Sequence, residues 1–201
     1  MRTICFPLLV LSAAPALVAA ADQRSCTMRD ATIPAPSLTY VLCEQGMMLV
    51  TSDEGATWNT RKIEDGKGLR ALSFKDPNRG VVVGEAGLIM TTADGGKTWK
   101  TVKTGTNENL TDLQLVGDEG WAVGFDGVIL HTADGGETWQ QQKSGSSLSL
   151  ETVHFLDAKN GWAAGWSGTI LHTTDGGATW KQIKTPAASW SLTSIHFLDA
   201  N

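Results

Sequence analysis

The chain has 201 residues, a formal charge of -5, 22 glycines and hydrophobic residues at 41%. A mildly acidic chain with scattered lysines lacks the clustered basic face that nucleic-acid binding needs, and its length fits one ordinary domain. No charge block or low-complexity tract interrupts it.

Residues 1–21 read as a secretory signal peptide. Met1-Arg2 gives a positive start, Ile4 to Ala20 is apolar and uncharged, and Ala19-Ala20-Ala21 offers a small-x-small cleavage site. An uncleaved anchor is the alternative reading. Against it, Pro7 and Pro15 interrupt a run already short for a span of roughly 20 residues. Cleavage near Ala21 would leave a periplasmic or secreted chain that does not span the membrane. Residues 22–37 then form an N-terminal segment carrying Cys26. With Cys43 it makes an even pair in an oxidising compartment, since Cys5 leaves with the leader. A disulfide would tether this segment to the first repeat and stabilise by roughly 3 kcal/mol through the unfolded state. Two free thiols are the other reading.

From residue 38 the chain repeats. The motif T-x-D-x-G-x-T-W occurs at Thr51 to Trp58, Thr92 to Trp99, Thr132 to Trp139 and Thr173 to Trp180, with aspartates 41, 40 and 41 residues apart. Between motifs an alternating segment (Leu69 to Phe74) recurs, then a polar turn, an apolar run ending in glycine, a second glycine and a third apolar run. Four short strands in about 40 residues describe an antiparallel meander. Such a sheet cannot cover its own apolar faces, and radial stacking of copies does so. The predicted fold is therefore all-β: a propeller of four-stranded blades with Asp-box turns, about four blades present and the ring incomplete. Units fall at about 38–66, 68–108, 109–148 and 149–189, with a partial unit at 190–201. That last stretch copies a first strand. Either it opens a further blade, or it completes the first unit and closes a ring of four.

The Asp-boxes are explained by architecture. Asp53, Asp94, Asp134 and Asp175 are turn-formers that accept backbone N–H bonds, and Gly55, Gly96, Gly136 and Gly177 supply positive φ. Trp58, Trp99, Trp139 and Trp180 offer large faces to wedge between sheets. The G-x-x-G elements place a short hairpin between the second and third strands. Cys43 replaces the leading glycine in the first unit.

With these runs in view, G-W-A-V-G-x-x-G-x-I-L-H-T and D-G-G-x-T-W above all, the chain resembles the photosystem II stability and assembly factor family. Its members are exported propellers of bacterial-neuraminidase-type repeats. The resemblance covers about residues 38 to 201 and is clearest from Trp121 to Trp139. It implies a non-catalytic scaffold that binds another protein, such as a membrane-protein subunit during its assembly, in photosynthesis or a related process. The family's seven-blade ring needs more units than this chain carries.

Asp-boxes also mark sialidases, so a carbohydrate-active propeller is the second reading. Sialidase chemistry needs a tyrosine nucleophile with a carboxylate partner. The single tyrosine, Tyr40, lies inside an apolar strand, and Ile33-Pro34 follows Thr32 rather than arginine. No catalytic triad, P-loop, dinucleotide motif or metal-ligand spacing can be read, so no cofactor or metal is expected.

Binding is expected on the rim opposite the Asp-boxes. The central residues of the G-x-x-G hairpins differ between repeats: Glu44-Gln45, Glu85-Ala86, Phe125-Asp126 and Trp166-Ser167. Variable tips on a constant scaffold are where binding concentrates. Phe125 and Trp166 are either exposed anchors or fold back over the neighbouring hairpin.

Overall fold

The structure is a computed structural model that describes residues 26–186 and 189–197. The expected leader and its cleavage site near Ala21 lie outside those residues. Alternating apolar segments bounded by Gly- and Asp-rich turns form four antiparallel sheets, each of four strands in sequential order. The first holds β1 (Met28–Ala35), β2 (Leu38–Cys43), β3 (Met47–Thr51) and β4 (Asn59–Lys62). The second holds β5 (Leu69–Phe74), β6 (Gly80–Gly84), β7 (Ile89–Thr92) and β8 (Lys100–Val102). The third holds β9 (Leu110–Val116), β10 (Glu119–Gly124), β11 (Ile129–Thr132) and β12 (Gln140–Gln142). The fourth holds β13 (Leu150–Phe155), β14 (Gly161–Gly165), β15 (Ile170–Thr173) and β16 (Lys181–Ile183).

The first strands β1, β5, β9 and β13 touch one another in series, while the fourth strands are exposed outer edges. The sheets therefore stand as propeller blades around an axis lined by their first strands. The apolar core sits in the seams. Tyr40, Met48, Phe74 and Val82 belong to the seam of blades 1 and 2, and Val81, Val83, Leu115 and Trp139 to the next. Trp121, Val123, Val153 and Phe155 belong to the seam of blades 3 and 4.

One contact repeats at successive seams. A side chain of the second strand meets the end of the next blade's first strand, as Tyr40 stacks on Phe74 at 4.0 Å and Trp121 on Phe155 at 3.5 Å. Val81 and Leu115 hold these places in the middle seam. Polar side chains add staples between first strands. Asp30 accepts from the Leu72 N–H at 2.8 Å, Ser73 from Leu115 N–H at 3.1 Å and Asp112 from Val153 N–H at 2.8 Å. Gln114 accepts from Phe155 N–H at 2.6 Å and donates to its carbonyl at 3.0 Å. Each satisfies a backbone group that would otherwise cost about 1–3 kcal/mol to bury unpaired.

The structure corrects two expectations. Of the expected N-terminal segment 22–37, the described part is not outside the repeats, because β1 is the first strand of blade 1 and pairs antiparallel with β2. Blade 1 thus starts before residue 38. Its first strand lacks the apolar alternation of the others, and among the described residues no blade covers its outer face; Ile33, at the repeat position of Phe74, is 67% exposed. Because β1 already fills that place, residues 190–197 do not complete blade 1. They lie against blade 4 instead, where Leu192 N–H donates to Gly165 O at 3.0 Å and Phe197 stacks on Trp162 at 4.1 Å.

Cys26 and Cys43 are joined by a disulfide with Cα atoms 5.3 Å apart. It fastens the start of β1 to the end of β2. In the other blades that β2 position is a glycine pressed against the first strand, as a Cβ on Gly84 would stand 2.4 Å from Gly68 O.

Candidate functional site

The two ends of each blade do different work, and the Asp-box end is structural throughout. In the third box, Asp134 accepts from the Thr132 hydroxyl (2.8 Å), the Thr138 N–H (2.9 Å) and the Thr138 hydroxyl (2.6 Å). Asp53, Asp94 and Asp175 repeat this set within their own turns. The carboxylates are thereby consumed inside each turn and do not converge. The box glycines meet the previous blade: a Cβ on Gly136 would come within 2.5 Å of Val81 and one on Gly177 within 2.0 Å of Gln142. Gly96 sits likewise against Met48, whereas Gly55 has only Trp58 beside it. Burial of the box tryptophans follows the same rule. Trp139 is buried and Trp99 and Trp180 partly so, but Trp58 is 45% exposed, with no blade before it among the described residues. The expectation that all four box tryptophans are wedged between sheets therefore fails for Trp58.

These bonds set a pH signature. The Thr57, Thr98 and Thr179 hydroxyls hold Asp53, Asp94 and Asp175 at about 2, below their ordinary 3.8. Burial pulls Asp134 upward, but its threonine bonds outweigh it and bring it also to about 2. Asp112 goes the other way, to about 6, because burial between first strands and the nearby Asp30 charge outweigh its bond from Val153. A depressed carboxylate stabilises the fold above the unfolded pKa and loses that contribution as pH falls towards 2. A raised one favours the fold below the unfolded pKa, and the advantage is lost as pH rises through 6. Urea midpoints should thus rise from pH 7 to about pH 4.5 and fall steeply between pH 4 and 2. Asp112→Asn should flatten the upper part; a midpoint that declines from pH 7 to 4.5 contradicts this assignment.

The opposite end carries the hairpins. Each tip is a two-residue turn with both residues at positive φ: Gln45-Gly46, Ala86-Gly87, Asp126-Gly127 and Ser167-Gly168. The second glycine of G-x-x-G is therefore the turn residue, and the leading one is extended and serves close packing. This places Glu44, Glu85, Phe125 and Trp166 at equivalent positions along one rim, one residue before each turn. Arg29 pairs with Glu44 at 2.7 Å and Arg70 with Glu85 at 3.2 Å. The Arg70 guanidinium lies 5.8 Å above the Phe125 ring, and its Nε is buried without a hydrogen bond. Phe125 and Trp166 are themselves in contact, ring centroids 6.4 Å apart, and the Trp166 indole donates to Glu151 at 2.6 Å.

Residues 64–150 match the family described as photosynthesis system II assembly factor YCF48. The chain resembles the YCF48-type propellers. Similar solved structures include YCF48 from Cyanidioschyzon merolae, 16% identical with a TM-score of 0.65, covering 85% of this chain and 62% of that one. YCF48 bound to D1 peptide is 17% identical with a TM-score of 0.52, covering 78% and 82%. An ancestral GH74 enzyme is 14% identical with a TM-score of 0.68, covering 79% of this chain but 24% of its own. The chain spans less than two thirds of the Cyanidioschyzon protein. No curated protein matches it in sequence. At these identities the structural likenesses establish the propeller fold.

The propeller fold places Tyr40, the one tyrosine weighed as a nucleophile, and the four histidines in packing roles. Tyr40 is buried in the first seam, and its hydroxyl donates to Pro77 O at 2.9 Å. His131 bonds Glu119 at 2.6 Å, His172 stacks on Trp162 and His154 faces His196. Among the described residues no three His, Cys, Asp or Glu side chains cluster as a metal site requires, and no helix is long and apolar enough to cross a membrane. The sequence reading missed Leu148 and Trp190 on the hairpin rim. The signal was present: they share a repeat position with Lys67 and Glu108, two residues before a first-strand leucine.

Proposed function

We infer that this chain is a non-catalytic, exported propeller that binds a segment of another protein through its hairpin rim, in the manner of an assembly factor. The observation carrying this is the division of labour between the two ends. The Asp-box ends repeat nearly unchanged and spend their polar groups internally. The hairpin end keeps its backbone and changes its side chains from blade to blade. The family match and the D1-peptide-bound YCF48 support a protein partner, including a membrane-protein subunit during assembly. The disulfide supports export, since such bonds persist in oxidising compartments. The GH74 likeness, at 14% identity, extends to the fold alone.

The test is calorimetric titration of a D1-derived peptide, and of partners co-purified from the native periplasm, into the wild-type chain and into rim variants. Binding lost in Glu85→Ser or Phe125→Ser with unchanged melting temperature is the expected result. Binding that survives every rim substitution overturns the reading, as does sugar release from an oligosaccharide.

A further inference from the structure

Resting on the reading of the hairpin rim as the binding face, we propose that its occupant at blades 3 and 4 is a short, extended, apolar segment carrying a lysine or arginine beside its apolar residues. The repeats provide an internal control. Three sets of rim positions are equivalent between blades. The residue before the turn is Glu44, Glu85, Phe125 or Trp166, and the linker residue is Lys67, Glu108, Leu148 or Trp190. The second residue of the first strand is Arg29, Arg70, Thr111 or Glu151. Blades 1 and 2 fold with charges at the first two sets. The scaffold therefore does not require the four apolar side chains that blades 3 and 4 carry there.

Those side chains remain in contact with solvent. Leu148 is 38% exposed, Trp166 48% and Trp190 71%. They are neighbours on the rim. Trp166 N–H donates to Ser149 O beside Leu148, Gly168 N–H donates to Trp190 O, and Phe125 touches Trp166. A monomer seldom leaves a contiguous apolar patch of a few hundred Å² uncovered without a binding role. The size also selects the occupant. A stable complex with a folded partner buries about 800 Å² per side, whereas a few extended residues suffice for four side chains.

Charge sets the second requirement. Arg70, already paired with Glu85, closes the patch on the blade 2 side. Within the patch the charged groups are acidic: Asp126 is exposed at a turn tip, and Glu151 accepts from the Trp166 indole. Among the described residues neither has an ion-pair partner. Lys143 lines the outer groove with Asp126 but is not paired with it. A cation on the incoming segment would meet these carboxylates and the faces of Phe125 and Trp166.

Two synthetic ten-residue probes test this, both alternating leucine and serine, one ending in two lysines and one in two glutamates. The change in tryptophan fluorescence is followed on titration. The lysine probe should bind the wild-type chain at least tenfold tighter than the glutamate probe. Trp166→Glu and Leu148→Lys, which install the residues blades 1 and 2 carry, should each weaken it tenfold or more without lowering the melting temperature. Asp126→Asn should reduce the preference for lysine while retaining apolar binding. Equal affinity for both probes overturns the charge assignment, and binding of neither overturns the occupant. So does a rim-dependent dimer or attachment to anionic vesicles in place of peptide binding. If the D1-derived peptide or a co-purified partner still binds the rim while both probes fail, the general protein-binding reading stands and this inference falls.

Discussion

Trp121→Ala should cost about 3–5 kcal/mol of unfolding free energy, near the upper end for a single core truncation. The indole is fully buried, stacks on Phe155 of the next blade at 3.5 Å and donates to Gly176 O in that blade's Asp-box at 2.9 Å. Alanine would remove the wedge and one of the two hydrogen bonds to that carbonyl, leaving the one from Gln142, at a seam that cannot collapse without moving a whole sheet. Trp58→Ala is the matched control. The same residue type is half exposed, with no blade before it among the described residues, so its loss should stay below about 1 kcal/mol. Urea unfolding of both variants checks the contrast. Equal costs would mean that seams between blades are not where stability resides.

The second large effect is loss of the disulfide. Replacing Cys26 and Cys43 by serine, or reducing the bond, should destabilise by roughly 3 kcal/mol, from release of a 17-residue loop in the unfolded chain. The damage should start locally. β1 is covered on one side alone, by β2, its packing on β5, the Asp30 staple and the Arg29–Glu44 pair, and amide exchange should accelerate first across Met28–Ala35. Exchange that accelerates uniformly through all four blades would show that the bond supports the whole array rather than its first strand.

Much of this architecture is legible in the sequence because each blade repeats the same solution. Four boxes at constant spacing announce the sheets, and alternation in segments such as Leu69–Phe74 announces first strands that face two neighbours. β1 is not legible for the complementary reason. Arg29 and Pro34 stand in a strand whose outer face meets no blade among the described residues. The staples Asp30, Ser73, Asp112 and Gln114 also escaped, since a polar residue in an alternating strand reads as solvent-facing until the next blade's backbone is placed beside it. At the rim, Glu44, Glu85, Phe125, Asp126 and Trp166 were found from the variability of the turns. Leu148 and Trp190 required knowing that the linker before each first strand shares that rim.

The most direct test is one comparison of affinities for the lysine-ended apolar peptide, between Asp134→Ala and Trp166→Glu, each below its melting temperature. If the acidic bends only shape the blades, the first variant should melt earlier yet bind as wild type, while the second melts normally and binds at least tenfold more weakly. A folded Asp134→Ala protein that no longer takes the peptide would contradict the account.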